Sequence, residues 1–200
     1  DFGDSSFNII HLDWIKHQPK EALPDYAKRL AENINTDKDI ALLGVSFGGI
    51  MAQEIAKVKP PKHLFVVSSL SNTQQIPFFL RSLLQLKVHL LLPRTFYKNT
   101  NWISNWVFGV SEVEDKALLK EIFLDTDVDF IRWAFSEISR WKGVQELGQI
   151  YCHGAKDRMV KPPNACSFLL PNSGHFMIVT DASALSKFVF QTIQSNALDS

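Results

Sequence analysis

One serine of this sequence stands among glycines where an apolar run gives way to a helical pattern. Within residues 39–60, Gly44 precedes Ser46 by two positions, and Gly48 and Gly49 follow it. Glycine weakens regular elements, so three glycines around one hydroxyl indicate a special backbone requirement. The pattern G-x-S-x-G predicts a tight strand-to-helix turn, in which Gly44 and Gly48 avoid collisions and Gly49 lets the helix pack closely. Such a turn presents the serine hydroxyl as a nucleophile.

The same turn places a backbone N–H group beside the serine. Phe47 stands at the start of the helix predicted for residues 48–57, so its N–H has no partner within that helix. A donor at this position stabilises the oxyanion that forms when a hydroxyl attacks a carbonyl carbon. We therefore predict the Phe47 N–H as one donor of an oxyanion hole.

A serine hydroxyl is a weak nucleophile and needs a base. Among the six histidines, His175 fits this role best, because it stands in a turn after the last strand-like run. His11, His63 and His153 lie within or beside strand-like runs and are predicted to be structural. His17 falls in a polar loop and His89 in an apolar helical segment.

The base in turn needs an acid that orients it. Asp157 fits best, since it lies just beyond a strand-like run and between Ser46 and His175 in chain order. Its rivals are Asp125, Asp127 and Asp129, which fall in a helical region where surface charge is the default interpretation.

The elements that must position these residues alternate along the chain. The predicted strands are 7–12, 40–43, 63–68, 149–153 and 165–170, and the predicted flanking helices are 23–34, 48–57 and 182–195. Such alternation predicts an α/β fold with a mostly parallel sheet flanked by helices.

The alternation of strand and helix patterns stops between residues 71 and 145, where no strand pattern occurs. Helical patterns cover 76–92, 101–108, 113–124 and 128–141, and four of the five tryptophans lie here. These aromatic residues are expected to pack a helical layer, and some of them could line a pocket for an apolar substrate.

The segment 76–92 has a second interpretation. Its apolar residues, with Arg81 and Lys87, could dock on a membrane interface; the residues concerned are Phe78, Phe79, Leu83, Leu84, Leu90 and Leu91. We favour burial of this segment on the core, so membrane contact is not expected.

Composition narrows the class of protein. The chain has 46% hydrophobic and 21% charged residues and a formal net charge of zero, which is typical of a globular domain and argues against a nucleic-acid partner. Cys152 and Cys166 lack metal-ligand spacing and are predicted as small buried residues. No secretory signal is visible, so we expect a cytoplasmic location, and we expect neither cofactor nor metal. The composition indicates no oligomeric state.

Three blocks of the sequence resemble the α/β-hydrolase fold family. They are GVSFGG at 44–49, HGAKDRMV at 153–160 and GHFMIV at 174–179, in the order that the family shows. The resemblance implies Ser46 as nucleophile, His175 as base, Asp157 as acid and the Phe47 N–H as an oxyanion donor. It also implies that 1–70 and 146–200 form the core and 71–145 a helical cap insertion. HLDW at 11–14 resembles the family's strand-end block.

The sequence departs from the family in two places. The loop that supplies the second oxyanion donor has no counterpart, FGD at 2–4 being too slight, so we expect an N-terminally incomplete chain. The link from Asp157 to His175 is short for a parallel crossover, which usually takes a dozen residues or more. We therefore predict a shortened connection with at most one helical turn.

Two hypotheses of function follow. The first is a serine hydrolase that cleaves a carboxylic ester or thioester of a small apolar substrate. The second is a non-catalytic protein that binds a small ligand on the same fold. A working triad loses activity when its histidine is protonated, whereas a binding site need not respond to that protonation.

Overall fold

The computed structural model describes residues 8–36 and 38–195. The strands are β1 (Ala41–Val45), β2 (His63–Val67), β3 (Gln149–Gly154) and β4 (Phe168–Leu170). The helices are α1 (Leu23–Ala31), α2 (Phe47–Ala56), α3 (Phe78–Gln85), α4 (Arg94–Tyr97), α5 (Trp102–Phe108), α6 (Val113–Asp125), α7 (Val128–Arg140), α8 (Met177–Thr180) and α9 (Ala182–Ser195). Short 3-10 turns occur at Thr73–Gln75 and Val88–Leu90.

The four strands form one parallel sheet in the order β1-β2-β3-β4. Val45 at the end of β1 pairs with Val67, which in turn pairs with Cys152 of β3. The carboxyl ends of β1, β2 and β3 therefore lie side by side, and the loops that follow them share one edge of the sheet.

Alternate residues of the strands bury the two faces of the sheet against different helices. Leu64, Val66 and Tyr151 pack with Ala52 and Ala56 of α2. On the other face, a second cluster joins the sheet to the helices at the end of the chain; it contains Phe65, Val67, Cys152, Met177, Leu185 and Val189. All five residues of β2 are buried. The predicted parallel sheet with helices on both faces is confirmed.

The predicted strand at 7–12 is wrong for residues 8–12, while Phe7 lies outside the described residues. Residues 8–12 form no strand, and Ile9 and Ile10 are 48% and 72% exposed. In the described part of the chain, β1 pairs with β2 alone. A segment without a neighbouring strand cannot pair its backbone groups in a ladder, whatever its β-propensity.

The link between β3 and β4 is short, as predicted. Residues 155–167 contain turns and no helix, and β4 nevertheless runs parallel to β3. Ser167 donates its backbone N–H to Tyr151 O, which brings the returning chain directly to the strand. A parallel crossover is thus completed here without a helix.

Residues 71–145 contain helices and 3-10 turns and no strand, as predicted. We expected the first helix of this segment, α3, to be buried on the core, and this expectation is wrong for one of its faces. No residue of α3 is fully buried. Leu80 and Leu84 pack against the core, whereas Phe78 and Phe79 are 76% and 69% exposed.

Both cysteines are free thiols, Cys152 buried in β3 and Cys166 half-buried, so the prediction of full burial holds for Cys152 alone. Within the described ranges, no helix is both long enough and apolar enough to cross a membrane.

Candidate active site

Ser46 occupies the turn between β1 and α2 in a strained backbone conformation. Its φ is 53° and its ψ is −119°, which is rare for a residue with a side chain. The turn is held in place by hydrogen bonds. Ser46 N donates to Val67 O at 2.9 Å, and Ser46 O accepts from the Ser69 hydroxyl at 2.6 Å and from Gly49 N at 3.0 Å. Strain of this kind persists where the surrounding structure enforces it.

Two of the three glycines around Ser46 are required by close contacts. A Cβ atom on Gly44 would lie 2.1 Å from Gly48 O, and one on Gly49 would lie 2.5 Å from the Ser69 Cβ. Gly48 differs, because a Cβ there would meet no atom within 4 Å. The expectation that Gly48 avoids a collision is therefore wrong: its carbonyl, rather than its Cα, makes the close approach to Gly44.

The structure brings Ser46, His175 and Asp157 together in one hydrogen-bonded chain. Ser46 Oγ lies 3.0 Å from His175 Nε2, and His175 Nδ1 lies 2.8 Å from Asp157 Oδ2. Since Nδ1 faces a carboxylate, it carries the proton, and Nε2 is left to accept from the serine hydroxyl. A base oriented in this way can remove the hydroxyl proton of Ser46.

His175 is held by the loop between β4 and α8. Its side chain is 3% exposed, and the ring of Phe108 packs edge-on against it with centroids 5.4 Å apart. The loop passes close to the end of β3, because a Cβ on Gly154 would lie 2.3 Å from Ser173 O. Gly174, in the same loop, approaches Gly109 at the C-terminal end of α5. A Cβ added to either glycine would lie 3.0 Å from the Cα of the other.

The side chain of Asp157 is fully buried, and both of its carboxylate oxygens have hydrogen-bond partners. Oδ1 accepts from the backbone N–H groups of Met159 at 2.8 Å and Val160 at 2.9 Å. Oδ2 faces His175 and also His153, whose Nε2 lies 3.1 Å away. Burial alone would raise the pKa of Asp157, but the hydrogen bonds from His153 and His175 outweigh burial and hold that pKa well below its usual range.

His153 is the residue that sequence reasoning missed. It was correctly predicted to lie in a strand and is fully buried, but its partner is the carboxylate of Asp157. Its Nε2 also lies 3.1 Å from Val160 O, so this nitrogen faces two acceptors and carries the proton. The available signal was the spacing of His153 and Asp157 in HGAKD, four residues apart across a turn.

Among the described residues, His175 alone of the histidines forms a hydrogen bond with Ser46 Oγ. His63 is buried at the start of β2, His89 bonds to the Ser136 hydroxyl, and His17 stacks on Trp133. His11 stands in an exposed, non-strand segment, so the prediction that it belongs to a strand is wrong.

The rival acids also serve other purposes. The side chain of Asp127 accepts from the backbone at the N-terminus of α7, and Asp129 pairs with Arg94 at 2.9 Å. Asp125 closes α6. Within the described residues, none of the three forms a hydrogen bond or ion pair with His175.

Phe47 begins α2, so its N–H is among those without an intrahelical acceptor, as predicted. Its ring lies in an aromatic cluster beside the serine, with centroids 5.6 Å from Trp14, 5.9 Å from Phe130 and 5.9 Å from Trp133. A separate aromatic ring, that of Phe108, packs against the ring of His175. The FGD segment at 2–4 lies outside the described residues, and the HLDW segment contributes Trp14 to this cluster.

No protein-family model matches this sequence, and no match to a curated protein was found. Solved structures do match. A putative aryl esterase from Burkholderia cenocepacia has a TM-score of 0.65 and 20% identity, over 92% of this chain and 76% of that one. A thermophilic esterase has a TM-score of 0.63 and 16% identity, over 89% and 75%. A meta-cleavage product hydrolase from Pseudomonas fluorescens IP01 has a TM-score of 0.60 and 13% identity, over 90% and 75%. The chain has the α/β-hydrolase fold.

Proposed function

We propose that this chain is a serine hydrolase that cleaves a carboxylic ester or thioester of a small apolar substrate through an acyl-enzyme. The observation that carries the proposal is the continuous contact from Ser46 Oγ through His175 to Asp157, at 3.0 and 2.8 Å. Spacing of this kind allows proton transfer from the hydroxyl while the buried carboxylate stabilises the charged imidazole.

In the proposed mechanism, Ser46 Oγ attacks the substrate carbonyl carbon as His175 Nε2 takes its proton. The oxyanion accepts a hydrogen bond from the Phe47 N–H, at the positive end of the α2 dipole. His175 then returns the proton to the leaving alcohol or thiol. Water, deprotonated by the same nitrogen, attacks the acyl carbonyl carbon. The bond from that carbon to Ser46 Oγ then breaks, His175 returns the proton to Oγ, and the acid is released.

The apolar substrate is supported by the rings around the serine. The ring of Phe47, the residue after Ser46, contacts Phe130 and Trp133, and the ring of Phe108 contacts His175. Apolar surroundings of this kind favour an acyl group with little polarity. They also exclude water, which strengthens the hydrogen bond to the oxyanion.

We further propose that residues 71–145 act as a helical cap over a core formed by 1–70 and 146–200. Support comes from side chains of this segment that reach the site. Phe108 of α5 touches His175, and Phe130 of α7 touches Phe47.

Labelling with a fluorophosphonate, read by intact mass, tests the proposal. This reagent bonds covalently to an activated serine, so the parent is expected to gain one adduct and Ser46→Ala none. Ser186→Ala is a matched control, since Ser186 lies in α9 and its hydroxyl bonds within that helix, to the Ala182 carbonyl. Labelling should survive in that variant.

An acyl-chain series of p-nitrophenyl esters and thioesters would then define the substrate. Failure of the parent to label, with correct folding shown by circular dichroism, would contradict the proposal. It would favour the alternative, a non-catalytic protein that binds a small ligand on this fold.

A further inference from the structure

Helix α3 presents apolar side chains on two opposite faces. Leu80 and Leu84 pack against the main core cluster. At the helical advance of about 100° per residue, Phe78, Phe79 and Leu86 fall on the opposite side. These three are 76%, 69% and 74% exposed. Only one of the two apolar faces is thus covered by the described residues.

The exposed face continues into the next turn of the chain. The 3-10 turn at Val88–Leu90 packs against α3, and Leu90 and Leu91 are 42% and 84% exposed. We call Phe78, Phe79, Leu86, Leu90 and Leu91 together the α3 face. Exposed apolar clusters of this kind mark sites of interaction, whereas single exposed residues do not.

The charges beside the α3 face are positive. The Arg81 guanidinium lies 5.8 Å from the centre of the Phe78 ring, and Lys87 is exposed just after α3. Neither residue forms an ion pair with a described carboxylate. The sequence itself has no Asp or Glu between Glu54 and Glu112.

The acids on the neighbouring helix do not offset these cations. Helix α7 packs against α3, and it carries two acidic residues. Asp129 pairs with Arg94, and Glu137 pairs with Arg140. The α3 face is therefore apolar with a positive border, which is complementary to the surface of an anionic bilayer.

A second copy of the chain fits this surface less well. A two-fold dimer would place the face against itself. Arg81 and Lys87 would then approach their own equivalents, with no acid from the same segment to separate them, which is unfavourable. Lipid phosphates, by contrast, would pair with both cations.

We propose that the α3 face docks on anionic lipid surfaces. Phe78, Phe79 and Leu86 enter the boundary between headgroups and acyl chains, and Arg81 and Lys87 bind phosphates above them. This inference goes beyond hydrolysis and does not depend on it, since Ser46 takes no part in docking.

Co-sedimentation with lipid vesicles tests the proposal on the 200-residue chain. The parent is expected to bind vesicles made of equal parts phosphatidylglycerol and phosphatidylcholine, and to bind pure phosphatidylcholine weakly. Phe78→Ser with Phe79→Ser should reduce the partition coefficient at least about ten-fold. Arg81→Gln with Lys87→Gln should reduce it about ten- to thirty-fold, and added salt should reproduce that loss.

Two controls make the result specific. Trp102→Ser removes an aromatic residue of equal exposure, 77%, from α5, outside the α3 face, and should bind as the parent does. Ser46→Ala should also bind as the parent does, which separates this test from that of the hydrolase.

Equal binding by the double-serine variant and the parent, or an equal loss in Trp102→Ser, would overturn the proposal. So would the absence of binding to anionic vesicles. The parent could instead dimerise in sedimentation velocity without binding vesicles. If Phe78→Ser with Phe79→Ser abolished that dimer, the α3 face would be assigned to a second copy of the chain. Circular dichroism of every variant confirms that each is folded.

Discussion

His153 and His175 approach the same oxygen of Asp157 from two directions, with their ring nitrogens 3.1 and 2.8 Å from Oδ2. The first is fixed in β3, and the second lies in the loop that meets Ser46. His153, in the strand, thus holds the carboxylate in place, and the carboxylate in turn orients the ring of His175, in the loop.

Removal of the His153 ring should disturb Asp157 without touching Ser46. In His153→Leu, the carboxylate loses one donor that lowers its pKa, so the pKa of Asp157 rises towards its usual value. We expect the rate of fluorophosphonate labelling to fall about ten-fold, through poorer orientation of His175. His153→Gln, which retains a donor, should recover part of the rate. His63→Leu is the matched control, a buried strand histidine away from the acid. An unchanged rate in His153→Leu would refute this positioning role.

Asp157 should make the stability of the fold depend on pH at the acid end. Because its pKa is lower in the folded chain than in the unfolded chain, its ionised form stabilises the fold. That contribution is fully present above about pH 5 and is lost as the pH falls below about 4. Urea unfolding of the parent and of Asp157→Asn should therefore converge progressively as the pH falls below about 4. A gap between their midpoints that stays constant with pH would contradict the expectation.

The same Asp157→Asn variant should lose activity at neutral pH. An amide in place of the carboxylate cannot stabilise the imidazolium and favours the wrong tautomer of His175. We expect labelling of Ser46 to slow by about 10³- to 10⁴-fold, while the near-ultraviolet dichroism stays that of the parent. Asp129→Asn, which removes a surface acid paired with Arg94, should label at the parental rate.

The glycines around Ser46 should respond differently to alanine. Gly44→Ala places a methyl group 2.1 Å from a backbone oxygen, so the free energy of unfolding should fall by about 2 kcal/mol or more. Gly48→Ala meets open space in the first turn of a helix and should leave that free energy unchanged or raise it by up to about 1 kcal/mol. Urea denaturation of both variants measures the difference. Equal losses in the two would show that the turn is tighter at residue 48 than the contacts indicate.

Cys152 should be unreactive until the chain unfolds. Burial raises the pKa of its thiol to about 12, so little thiolate forms near neutral pH, and the side chain is inaccessible. We expect iodoacetamide to modify Cys152 in step with urea unfolding, as read by peptide mass. Burial also raises the pKa of Cys166, but this half-buried thiol should react earlier. Rapid modification of Cys152 in the folded chain would contradict the prediction.

Much of the architecture could be predicted because local patterns and tertiary structure agree. The apolar runs at 40–43, 63–68 and 149–153 became parallel strands, and the glycine pattern around Ser46 became a strand-to-helix turn. Spacing along the chain also located the residues that meet at 3.0 and 2.8 Å, since loops at the carboxyl ends of parallel strands converge.

What could not be predicted depends on neighbours distant in sequence. The run at 7–12 has the composition of a strand, but residues 8–12 have no partner strand among the described residues. A segment becomes a strand only where a neighbouring strand can accept and donate its backbone hydrogen bonds. His153 looked like a core residue because nothing local shows that a strand side chain reaches around a turn to Asp157. Exposure of Phe78 and Phe79 likewise depends on which side of α3 meets α7.

The close approach of Gly109 and Gly174 has a consequence for the position of His175. Gly109 ends α5 with φ 74°, Phe108 O accepts from Phe176 N at 3.1 Å, and Gly174 immediately precedes His175. With no side chain between the two backbones, α5 cannot shift towards the loop without displacing His175, nor move away without breaking this hydrogen bond. The position of the His175 ring is therefore set by the packing of α5 as well as by the hydrogen bond to Asp157.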